Sequence, residues 1–167
     1  MSLSSLVRSG GALASIMAGV LLLLGHVLNL GGNPEYGTVA DSCSVLAAHV
    51  LLVFALVALY AAQAERSGSL GALGMVLSVI GTTLVSGVVL VEIAGASGAD
   101  VEAVTGTGLS GALSLLGGLA FLTGTIMFGI ATMRARVFPR WAGLLLIVGD
   151  VCSAQPASRV QRRSPSR

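Results

Sequence analysis

The sequence predicts an all-α bundle that crosses a membrane, and three observations carry that prediction. Hydrophobic residues make up 54% of the chain and charged residues only 10%, against about 25% charged in a soluble domain. The long apolar stretches fall into four windows, each about the 20 residues that a helix needs to cross roughly 30 Å of hydrocarbon. The 23 glycines and the 4% of aromatic residues would make a poor water-soluble core, but they suit helices packed through small residues in lipid.

The first window covers residues 9–30, between Arg8 and Glu35. Arg8 and the apolar run behind it resemble a signal peptide. No small-x-small cleavage site follows, where the chain reads Gly25, His26, Val27, Leu28, Asn29, so a retained span is expected. The second window, residues 44–63, is opened by Asp41 and Ser42, which can cap free N–H groups, and is closed by Glu65 and Arg66. The third covers residues 70–94, and the fourth covers residues 107–133, ahead of Arg134, Arg136, Pro139 and Arg140. Short connections make neighbouring helices antiparallel, so residues 1–140 are expected to form one domain of four transmembrane helices.

The C-terminal region breaks the pattern. Residues 141–149 start a fifth apolar segment of nine residues, too short to cross the hydrocarbon. A polar Arg- and Ser-rich tail follows over residues 150–167, expected to be disordered. The abrupt change reads as a truncated or frame-shifted fifth span rather than an interfacial stub.

Orientation follows from arginine, because cytoplasmic loops retain positive charge. All nine basic residues are arginines, and Arg8, Arg66, Arg134, Arg136 and Arg140 fall on one side of the spans. The opposite loops, residues 31–43 and 95–106, carry Glu35, Asp41, Asp100 and Glu102 and no arginine. The N-terminus is therefore expected inside, on the cytoplasmic face, with both acidic loops outside. Small residues recur every four positions at Gly11, Ser15 and Gly19 and at Gly74, Ser78, Thr82 and Ser86, marking faces where backbones approach closely.

Two stretches carry a resemblance. Leu59 to Glu65 ends the second helix, and Ile130 to Gly143, with its Arg-x-Arg-x-x-Pro-Arg-Trp-Ala-Gly run, follows the fourth. Both resemble a group of uncharacterised multi-pass membrane proteins of bacteria, actinobacteria especially, over most of residues 1–149. Members of that group continue with further helices where this chain departs, and the resemblance implies no activity, substrate or cofactor. On physical grounds Arg134 and Arg136 would snorkel into the headgroups, Pro139 would end the helix, and Arg140 and Trp141 would anchor at the interface. Recognition of an anionic lipid is the other use for such a stretch.

Ionisable groups within spans are functional candidates by default, and here they are His26, His49 and Glu92. At 1.5 Å per residue all three fall in the outer layer of the membrane. By azimuth, His26 and Glu92 are expected to face the bundle interior, with His49 flanking. Such a trio could ligate a metal such as zinc, the two histidines could hold a haem, or the set could relay protons. Asn29 and Asp41 would support a metal site from outside. The bland reading of the same residues is interfacial polarity with structural hydrogen bonds.

Other chemistry finds little footing. A net charge of +2, with four of the nine arginines in the last nine residues, lacks the basic stripe that nucleic acid needs. Cys43 and Cys152 lie far apart without C-x-x-C spacing, against a disulfide within the chain. No G-x-S-x-G elbow or phosphate loop occurs, and no aspartate lies inside the four windows. The expectation is a structural or partner-binding membrane subunit without catalysis and without a cofactor. A metal- or haem-binding bundle using His26 and His49, and a small transporter acting as a homo-oligomer, are the alternatives.

Overall fold

A computed structural model describes residues 3–30, 37–105 and 108–153. Its elements are all helices, α1 (Leu3–Asn29), α2 (Val39–Ala96), α3 (Glu102–Thr105), α4 (Gly108–Ala135) and α5 (Arg140–Ser153). Three of them hold stretches long and apolar enough to cross a membrane: Ser9–Asn29, Val39–Ala96 and Gly108–Ala135.

The second and third sequence windows fall on a single 58-residue helix assignment that Gly68 interrupts, at φ 58 and ψ −161. Only glycine tolerates that conformation readily. The chain reverses there, as the contacts on α4 show. Before Gly68, His49 lies beside Phe121 and Gln63 bonds Thr132, so this arm runs parallel to α4. After Gly68, Gly74 packs on Phe128, Gly81 on Phe121 and Leu84 on Gly117, so the second arm runs antiparallel to α4. The six-residue connection expected between windows thus shrinks to one left-handed glycine.

α2 also starts earlier than the sequence reading placed it, and a different residue caps it. Thr38 is the N-cap: its hydroxyl accepts the Asp41 N–H at 3.2 Å, and Asp41 Oδ1 accepts the Thr38 N–H at 3.0 Å. This reciprocal capping box satisfies two of the four N–H groups that a helix start leaves free. Asp41 therefore sits three residues inside the helix rather than opening it.

Helix α1 lies antiparallel on the first arm, with Gly11 against Ala58 and Gly25 against Val45. The Ser44 hydroxyl donates to the Leu21 carbonyl at 2.8 Å across this interface. Of the small-residue faces, Gly74, Ser78 and Thr82 are buried as expected, whereas Gly19 has nothing within 4 Å.

Helix α5 corrects the C-terminal reading. It runs for 14 residues, through Asp150 to Ser153, so the segment does not end at Gly149. It crosses α4 where Gly143 meets Gly129 and Ile147 packs on the same glycine. Residues 154–167, the rest of the expected disordered tail, lie outside the described residues. The short α3, inside the acidic loop, was not anticipated; Asp100 Oδ1 accepts the Glu102 N–H at 3.1 Å at its start.

Beside apolar residues such as Phe128 and Leu56, the interior holds polar ones, and large aliphatic side chains cover the outside. Gln63, Ser78, Thr82 and Thr132 are fully buried, while Leu13, Ile16, Val20, Leu23 and Val27 on α1 are more than half exposed. Water would penalise that apolar surface and lipid would not.

Candidate functional site

The sequence candidates do not come together. His26 is exposed, on the outward side of α1, because the Gly19 face that pointed it inward is itself unpacked. Its Nδ1 is 2.8 Å from the Leu22 carbonyl, one turn back. His49 is the buried one. Its Nδ1 is 2.8 Å from the Val45 carbonyl, and its ring is tilted 45° on Phe121 at a centroid distance of 6.1 Å. Glu92 is half-buried, near enough to Asp41 for their charges to interact. Among the described residues no three His, Cys, Asp or Glu side chains are grouped to hold a metal ion. Asp41 serves the capping box and also accepts the Ser42 hydroxyl at 3.1 Å. Asn29 lies near it across Gly37, whose missing Cβ would meet both side chains.

A different set of polar groups meets inside the bundle, on the faces where α2, α4 and α5 pack. Gln63 Nε2 donates to Thr132 Oγ1 at 2.8 Å, and Thr132 in turn donates to the Phe128 carbonyl at 2.9 Å. Two turns nearer the start of α4, Thr125 Oγ1 lies 3.5 Å from Ser78 Oγ. The Ser78 hydroxyl is itself committed to the Gly74 carbonyl at 2.8 Å. From the other side Asp150, on α5, lies near Thr125.

Backbone proximity makes this meeting possible. A Cβ on Gly124 would strike the backbone and hydroxyl of Ser78, and one on Gly74 would lie 2.6 Å from the Phe128 nitrogen. Without those side chains the helices close up, and short hydroxyl residues reach across. Three buried oxygens here have no hydrogen-bond partner among the described residues: Gln63 Oε1, Thr82 Oγ1 and Asp150 Oδ2. Asp150 is only 8% exposed. Sequence reading missed it because the apolar run seemed to end one residue earlier; a hydroxyl at Thr125 facing an acid at the same distance from the Arg-rich turn was the available signal.

The arginine end is distinct. Met133, Arg134, Arg136 and Arg140 line an open cleft of about 580 Å³, and a second of about 230 Å³ places Arg66 beside Val137. Four arginines thus gather at one end of the bundle. Asp41, Glu92, Asp100 and Glu102 belong to the other end, where Thr38 begins α2 and Ser97 ends it. Cys43, also at that end, is a free, exposed thiol.

No protein-family model matches the chain, and no curated protein or solved structure is similar to it.

Proposed function

We propose that this chain is a multi-pass protein of a bacterial plasma membrane, with four spans and a cytoplasmic N-terminus, serving as a structural or partner-binding membrane subunit without catalysis. The observation that carries the reading is the backbone-to-backbone interior. Glycines at 74, 81, 117 and 124 press the second arm of α2 onto α4, leaving the large aliphatic side chains outside. A frame of this kind presents a fixed apolar surface to lipid or to another membrane protein. The reversal at Gly68 supports counting α2 as two spans, which together with α1 and α4 gives four. Arg66, Arg134, Arg136 and Arg140 at one end support the orientation.

Two experiments test this. In intact cells, a membrane-impermeant maleimide should label Cys43 in a Cys152→Ser background, and protection of Cys43 until the membrane is opened would reverse the orientation. Tagged protein purified in mild detergent after cross-linking should carry a stoichiometric membrane partner or a second copy of itself. A visible absorption band or stoichiometric metal, lost in the His26→Ala, His49→Ala double variant, would overturn the non-catalytic reading in favour of a metal or haem site.

A further inference from the structure

We propose that the cleft lined by Arg134, Arg136 and Arg140 binds a phosphate group carried by an anionic phospholipid, with the lipid chains along the outer face of α5. The lipid as source rests on the membrane reading above; the phosphate chemistry rests on the cleft.

The cleft comes first. It is open, has a volume of about 580 Å³, and is lined by Met133 and the three arginines, with no acidic side chain among the described residues that line it. That volume falls within the roughly 300–1,000 Å³ of small-ligand sites. Helix α4 brings the negative end of its dipole to this turn and α5 the positive end, so the helix ends offset one another and the guanidiniums set the field. Three like charges around one opening repel unless an anion enters. Guanidiniums offer paired N–H donors that match the oxygens of a phosphate.

The backbone supports the same reading. Arg136 holds a φ of 54 directly after α4 ends at Ala135, a position where glycine is the usual occupant. The chain uses 23 glycines elsewhere and keeps an arginine here, at a cost in strain. Strain of this kind persists where the side chain is needed for more than folding.

The surroundings select the source of the phosphate. Helix α5 starts at Arg140, and Trp141, Leu144, Leu145 and Val148 beyond it are exposed, at spacings that put them on one face. Gly143 and Ile147 pack on Gly129 from the opposite face. From Arg140 to Val148 the outer face extends about 12 Å. A free phosphate ion would use none of this apolar surface, whereas a phospholipid would use it together with the cleft. Arg66, at the same end of the bundle, lines a separate cleft that also holds Glu65, so it lies outside the proposed site.

Trp141, the single tryptophan of the chain, follows Arg140 and supplies the readout. The full chain is reconstituted in phosphatidylcholine vesicles carrying a minor share of chain-brominated lipid, either phosphatidylglycerol or phosphatidylcholine. Bromine quenches a tryptophan that it touches. Phosphatidylglycerol should take the position beside Trp141 with a preference of roughly tenfold over phosphatidylcholine, and Arg136→Ala and Arg140→Gln, each alone, should lower that preference by roughly fivefold. Arg66→Gln removes an equal charge from the same end and should leave the preference within about twofold. Millimolar inorganic phosphate should not relieve the quenching. Equal quenching by the two lipids, or an equal loss in Arg66→Gln, would overturn the proposal in favour of general attraction to a basic surface. Relief by inorganic phosphate would overturn the lipid in favour of a soluble phosphate ligand. Protein that stays out of the vesicles would overturn the membrane reading and the lipid source with it, a failure distinct from equal quenching of inserted protein.

Discussion

Gln63 and Thr132, 69 residues apart in the chain, are joined by a 2.8 Å hydrogen bond between fully buried side chains. The bond ties the first arm of α2 to α4, the two segments that run parallel. Hydrogen bonds between helices in membranes average about 0.6 kcal/mol and reach about 1.7 kcal/mol. Thr132→Val should therefore destabilise the bundle, because it leaves the Gln63 amide unpaired beside an oxygen already without a partner. Gln63→Leu should cost less, since it removes both unsatisfied groups at once. A double-mutant cycle, read by denaturant unfolding in micelles, should return a coupling of about 0.5–1.5 kcal/mol; additive losses would mean that the bond contributes nothing.

The second prediction separates packed glycines from exposed ones. A Cβ on Gly81 would collide with the Phe121 backbone, which cannot yield without moving α4, whereas a Cβ on Gly87 would meet nothing within 4 Å. Gly81→Ala should lower stability by about 1–3 kcal/mol through forced separation of the helices. Gly87→Ala should raise it by about 0.5–1 kcal/mol, the helix-propensity gain of alanine over glycine. Unfolding midpoints of the two variants check the contrast. Equal effects would mean that the second arm of α2 does not rest on α4 at Gly81.

How much of this was legible in the sequence depends on the length scale of the signal. The long apolar helices follow from hydropathy over about 20 residues, and the buried face of Gly74, Ser78 and Thr82 from a four-residue repeat, and both are present in the fold. The repeat misled on α1, where Gly11 packs on Ala58 but Gly19 meets nothing. A small residue permits close approach without requiring it, so His26, placed by that repeat, lies outside and His49 inside. Asp150 was hidden for a related reason. An aspartate after an apolar run reads as the end of a span, and only the crossing of α5 on α4 at Gly143 and Gly129 turns it towards Thr125. Such a crossing depends on contacts distant in sequence, which no local window reports.

Gly68 supports a prediction about backbone alone. Its φ of 58 and ψ of −161 lie where side chains are rarely tolerated, yet a Cβ added there would touch nothing within 4 Å. Any loss in Gly68→Ala therefore reports dihedral strain and not collision, and should amount to about 1–3 kcal/mol. Ser69→Ala, one residue beyond, is the control and should remain within about 0.5 kcal/mol. Thermal melting in detergent checks the pair. An unaffected Gly68→Ala would mean that the reversal between the two arms can be made by other dihedrals.

Arg136 stands at the mirror position, where α4 ends. It is the only non-glycine residue with positive φ among those described, at 54, directly after the last helical residue, Ala135. Glycine is the usual occupant of such a left-handed cap, and other residues pay about 1–2 kcal/mol in strain there. Arg136→Gly should accordingly stabilise the bundle by up to about 1 kcal/mol in detergent, once the greater freedom of glycine in the unfolded chain is subtracted. Arg136→Ala keeps the strain and removes only the guanidinium, so it should stay within about 0.5 kcal/mol of wild type. The pair separates backbone from charge. If both variants lose stability, the guanidinium lining the cleft with Arg134 and Arg140 outweighs the strain it imposes, and the turn is kept for its charge rather than for its geometry.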